Sequence, residues 1–106
     1  MKRLAVLAAA AVASAALAVP ALAATKTITV GDDVFRPKAV TVKKGTTVRW
    51  VWRGTSPHNV AVASGPQRFR SQVQASGTYS RRLTRAGRYR IVCTIHPGME
   101  QTITVR

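Results

Sequence analysis

Only one cysteine, three acidic residues and six aromatic rings occur in this chain of 106 residues. With Cys93 as the sole thiol, no disulfide can form within the chain. A small domain without disulfides depends on its core, and proteins of this size often add a metal. Beyond the amino-terminal segment there is no apolar run of membrane length, no internal repeat, no low-complexity linker and no helical periodicity. The 17 lysines and arginines are scattered rather than run together, which together with an export signal argues against nucleic acid as the partner.

That signal is the first feature present. Met1, Lys2 and Arg3 precede an uncharged, Ala-rich run from Leu4 to Val19, then Pro20 and Ala21-Leu22-Ala23. The pattern predicts a secretory signal peptide, residues 1–23, cleaved after Ala23. An uncleaved anchor is the alternative, because Leu4 to Ala24 is about as long as a bilayer is thick. The expected product, residues 24–106, is one periplasmic domain with no stable membrane insertion and a formal charge of +12, since 15 basic residues face all three acids. Such a charge steers encounters with anionic surfaces, or simply keeps the domain soluble.

From residue 24 onward, apolar and polar residues alternate in short runs broken by turn formers. Strands are expected near Lys26–Val30, Ala39–Lys43, Thr46–Arg53, Asn59–Ala63, Thr78–Thr84, Arg88–Thr94 and Gln101–Val105. Gly31-Asp32-Asp33, Gly54-Thr55-Ser56-Pro57 and similar stretches read as turns. Strands of this length and spacing predict an all-β sandwich or barrel. Ile28 and Val30, Val40 and Val42, Val48 with Trp50 and Trp52, Val60 and Val62, and Ile103 and Val105 share a phase and form the expected core. The two tryptophans are read as packing residues. Residues 64–77 lack a clean period, with an ill-defined strand expected around Phe69–Val73.

In residues 24–106 the soft and borderline metal ligands are two histidines, one cysteine and one methionine, and they fall in two short segments. His58 stands where a turn enters a strand. After a gap of 34 residues, Cys93-Thr94-Ile95-His96-Pro97-Gly98-Met99 lies between two strands. Two imidazoles, a thiolate and a weak thioether are the donor set of an electron-transfer copper site. Tetrahedral zinc can use the same Cys and His residues but has less use for a methionine three residues after His96. A catalytic Cys-His pair would need an oxyanion hole and a substrate pocket, which nothing here supplies. The chain is therefore not expected to be an enzyme.

At these residues the sequence resembles the cupredoxins, the type 1 blue copper proteins, and within them the amicyanins and plastocyanins. The short Cys93-x-x-His96-x-x-Met99 loop with Pro97 after the histidine is amicyanin-like, as is the stretch from Gly77-Thr78-Tyr79-Ser80 through Ala86-Gly87-Arg88-Tyr89 to Cys93. The resemblance spans residues 24–106. It implies a cupredoxin-like Greek-key β-sandwich of seven to eight strands, the eighth drawn from residues 64–77, and one copper ion held by His58, Cys93, His96 and Met99. It implies that Asn59 ties the two ligand segments together through Thr94, and that Tyr89 is the tyrosine of a Greek-key corner. Two departures stand out. Gly98 replaces a bulkier residue, which would loosen the loop or flatten the surface around His96. Arg81 replaces an apolar residue, which puts its strand at an edge or buries only the arginine stem.

The expected function is that of a periplasmic carrier of single electrons, cycling between Cu(II) and Cu(I), with His96 as the port through an apolar patch of Pro57, Ile95, Pro97 and Gly98. Its partners would be redox proteins such as a dehydrogenase, cytochrome c, reductase or oxidase, with acidic docking surfaces as one option. The protein is expected to be a monomer. A periplasmic copper-binding or delivery protein without electron transfer is the rival reading, and an accessory domain with an incidental metal is a third.

Overall fold

The computed structural model describes residues 24–106, so the expected signal peptide lies outside the described residues. Eight strands form two four-stranded sheets: β1 (Thr25–Gly31), β2 (Val34–Arg36), β3 (Ala39–Val42), β4 (Thr47–Trp52), β5 (Ala61–Ser64), β6 (Thr78–Arg82), β7 (Gly87–Val92) and β8 (Glu100–Val105). One sheet has the order β2-β1-β4-β6 and the other β3-β8-β7-β5. Two pairs are parallel, β1 with β4 and β3 with β8, and the rest are antiparallel. This is the expected Greek-key sandwich.

Alternation builds it. In β1 only Ile28 and Val30 are buried, in β4 Val48, Trp50 and Trp52, and in β8 Gln101, Ile103 and Val105. These inward sets meet between the sheets, where side chains of the two inner faces interdigitate. Every core residue expected from the strand phases is buried except Val40, which is partly buried against the core. Trp50 packs in tilted geometry on Phe69 and Tyr79, with ring centroids 5.9 and 6.0 Å away. Its Nε1 donates to Gln101 Oε1 at 3.1 Å, and Gln101 Nε2 donates to the Pro37 carbonyl at 2.7 Å, so the one amide buried among the strands is satisfied.

The eighth strand is not where it was expected. Within residues 64–77 only Ser64 lies in a strand, as the end of β5, and the rest pairs through two isolated bridges, His58 with Gln74 and Ala61 with Arg70. The additional strand is β2, three residues after the Asp32-Asp33 turn, which folds back on β1 and buries Phe35. β6 is an edge strand, and Arg81, though in phase with Tyr79 and Leu83, stays exposed with its guanidinium carbon 5.5 Å from the Phe69 ring centroid. The Tyr89 hydroxyl lies 2.7 Å from the Arg85 carbonyl four residues upstream, the contact of a tyrosine corner. Burial pushes the pKa of this phenol up.

Strand direction sorts the loops into two ends. The β1–β2 turn, the β4–β5 loop and the β7–β8 loop share one end. The β3–β4 turn, the β6–β7 turn, Ala24 and Arg106 share the other.

Candidate metal centre

Two loops at the first end bring three donors together. In the β4–β5 loop, His58 is completely buried and its backbone is clamped: its N–H donates to the Gln74 carbonyl and its carbonyl accepts from the Gln74 N–H, each at 3.0 Å. Trp52 Nε1 also donates to the His58 carbonyl at 3.2 Å. A tryptophan read as packing alone therefore also fixes the backbone of a candidate ligand. In the β7–β8 loop, Cys93 is 4% exposed and its N–H donates to the Met99 carbonyl at 3.1 Å, closing the loop at its base. The Met99 N–H donates to the His96 carbonyl at 3.1 Å, and Gly98 between them has φ +86°. Pro followed by a left-handed Gly within an i to i+3 bond is a type II turn. Gly98 is thus required by the turn rather than a loosening of it, since its φ is one that side chains resist.

The distances define the centre. His58 Nδ1 and His96 Nδ1 are 3.0 Å apart, Cys93 Sγ is 3.5 Å from His96 Nδ1 and 4.0 Å from His58 Nδ1. Donors about 2.0–2.3 Å from a shared ion must lie roughly 3–4 Å from one another, so this triangle fits a metal. The donor types, two imidazole nitrogens and a sulfur, select copper over the hard cations. Met99 is 2% exposed in the same loop. Asn59, also buried, spans the two loops: its Oδ1 accepts from the Thr94 N–H at 2.8 Å and from Thr94 Oγ1 at 3.2 Å.

Two groups at the centre were read in the sequence only as turn formers. Asp32 Oδ1 lies 3.6 Å from His58 Nε2, and Asp33 Oδ1 lies 3.5 Å from His96 Nε2, so the outer nitrogen of each imidazole faces a carboxylate. Asp32 also accepts from the Ser56 and Thr55 N–H groups, both at 2.9 Å, and these bonds hold its carboxyl below the usual carboxylate range. Asp32 thereby caps the loop that delivers His58. A Cβ on Gly54 would lie 2.8 Å from the Asp32 backbone nitrogen, so glycine is required for this approach. The available signal was that two of three acids in the chain are adjacent.

Around the centre the surface is uneven. The His96 side chain is 31% exposed, and Ile95, Pro97, Gly98 and Pro57 beside it in sequence or loop are exposed as well. Asp32 and Asp33 flank this end, whereas Lys43, Lys44, Arg82, Arg85 and Arg106 lie at the other.

Comparison with known proteins agrees with this geometry. Residues 23–106 match the family described as copper binding proteins, plastocyanin/azurin family. The chain is 36% identical over 96 residues to a plastocyanin of Scenedesmus fuscus, covering 76% of this chain and 98% of that one. It is 33% identical over 104 residues to amicyanin-alpha of Methylorubrum extorquens, covering 88% and 87%. A solved amicyanin variant in its reduced Cu(I) form superimposes with a TM-score of 0.69 at 27% identity, over 86% of this chain and 89% of that one.

Proposed function

The chain belongs to the plastocyanin/azurin family of copper-binding proteins, and on that premise we propose that it is an exported carrier of single electrons. The observation that carries the reading is the buried triangle of Cys93 Sγ, His58 Nδ1 and His96 Nδ1. Met99, buried in the same loop, is the proposed fourth and weaker ligand. Copper held there supplies one-electron exchange between two oxidation states. The protein contributes rigidity: His58 is clamped by Gln74 and Trp52, and Asn59 fastens one ligand loop to the other. Fixed ligands change little between oxidation states, which keeps the exchange fast. His96, the partly exposed imidazole of the two, is the proposed point of contact for redox proteins, through a small apolar face of the kind that transient complexes use. Burial of His58, Cys93 and Met99 weighs against a delivery protein, whose ligands must be reached and exchanged. Export through a cleaved leader of residues 1–23 to the periplasm is part of the same proposal.

Copper-loaded protein is expected to show an intense visible thiolate-to-copper band that Cys93→Ser abolishes. A colourless copper complex, or a band that survives the substitution, overturns the assignment. Copper lost to a competing chelator faster than electrons self-exchange would favour delivery instead.

A further inference from the structure

Of the 15 lysines and arginines in residues 24–106, none of which enters the copper reading, topology gathers five on one surface. Lys43 and Lys44 lie in the β3–β4 turn, Arg82 ends β6, Arg85 stands in the β6–β7 turn and Arg106 follows β8. The Lys44 N–H donates to the Arg106 carbonyl and the Gly45 N–H to the Leu83 carbonyl, each at 2.7 Å, while Arg82 Nε donates to the Gly45 carbonyl at 3.1 Å. Three segments distant in sequence are thus bonded into one pole. All five residues are exposed. The three acids are engaged elsewhere, Asp32 and Asp33 at the imidazoles and Glu100 on Arg90.

We propose that this pole docks on an anionic membrane surface and so turns the His96 end away from the bilayer. One observation favours lipid over an acidic protein. The pole offers exposed cations with no Asp or Glu side chain among them to set register with one partner, and diffuse headgroup charge asks for no more than that. Lipid binding rests on the pole alone, and only its orienting consequence rests on the copper reading.

The test uses residues 24–106, the exported domain of the proposed function, which hold both sheets and the described core. Sedimentation with vesicles of phosphatidylcholine, alone or with about one-third phosphatidylglycerol, is measured without copper. Binding is expected to the anionic vesicles only and to vanish at high salt. Lys43→Gln, Lys44→Gln, Arg82→Gln and Arg85→Gln together should weaken partitioning about 100-fold or more, at roughly fivefold per cation. The charge-matched variant with Arg36, Lys38, Arg53 and Arg70 changed to Gln should bind within about threefold of the parent by the same reasoning. If the Arg82 change disturbs folding, the triple variant that keeps Arg82 answers the question alone. Equal losses in the pole and charge-matched variants, equal binding to uncharged vesicles, or retention on a polyglutamate surface without vesicle binding would each overturn the proposal.

Discussion

The two ends of the sandwich do opposite things with charge. At the metal end, two of the three acids in the chain back onto the two imidazoles, and the exposed face is apolar. At the far end, exposed lysines and arginines crowd together with no Asp or Glu side chain beside them, over a core closed by Leu83, which is fully buried. The same two sheets connect both, so neither end can be assigned the stability of the fold by inspection. On the two proposals above, the difference teaches that the ends are specialised for partners: short-range ligation and contact at one, long-range attraction at the other.

The largest way to break this division is in the core of the far end. Leu83→Ala removes a fully buried side chain and is expected to cost about 2–5 kcal/mol, read by urea unfolding of the copper-free protein. The visible band of the copper-loaded variant should be unchanged, because the β6–β7 turn and the ligand loops share no residue. A shifted band would mean that the ends are coupled. The reverse case is Asn59→Ala. It leaves the Thr94 N–H without its partner and frees the β7–β8 loop from the β4–β5 loop. About 1 kcal/mol of stability should go, while copper affinity, measured by chelator competition, should fall roughly 10–100-fold. Loss of stability with unaltered affinity would make Asn59 a packing residue only.

How much of each end could be read from the sequence follows from the same contrast. Chemistry concentrated in rare residue types is visible without a fold: one cysteine, two histidines and a methionine could be grouped because few alternatives existed. Seven strands were visible because each repeats its period at least twice within a run. β2 was not, since Val34–Arg36 is three residues long with Phe35 alone buried. In the ill-defined strand expected around Phe69–Val73, Phe69 and Ser71 are buried as a strand would bury them, yet the backbone pairs there only at the isolated bridge of Arg70 with Ala61. The carboxylates behind the imidazoles depend on the parallel pairing of β1 with β4, which carries the turn after one beside the loop after the other. No local pattern encodes that pairing. The cationic pole was equally hidden, because Lys43, Lys44, Arg82, Arg85 and Arg106 look scattered until three hydrogen-bonded segments assemble them.

The smallest expected effect tests whether charge at the metal end holds the fold at all. Glu100, at the start of β8 next to Met99, accepts from Arg90 Nε at 3.0 Å and from Nη2 at 2.7 Å. The hydrogen-bonded guanidinium holds the Glu100 carboxyl below the ordinary range, and the carboxylate in turn raises the pKa of Arg90. A depressed carboxyl stabilises the folded state above the unfolded pKa of about 4.3, and that contribution is lost as pH falls through the folded value. Both side chains are well exposed, so solvent screens the pair and its worth is small. Glu100→Gln in copper-free protein should therefore leave the melting temperature at neutral pH almost unchanged. The slight loss that parent and variant show on acidification should differ only below about pH 4.5, where Glu100 takes up its proton. Measuring both melting curves from pH 7 to pH 3 isolates Glu100 from Asp32, which is present in each. A variant destabilised at neutral pH as much as Leu83→Ala would show that ion pairing, and not the buried faces of the sheets, fastens the metal end, and the division between the two poles would fail.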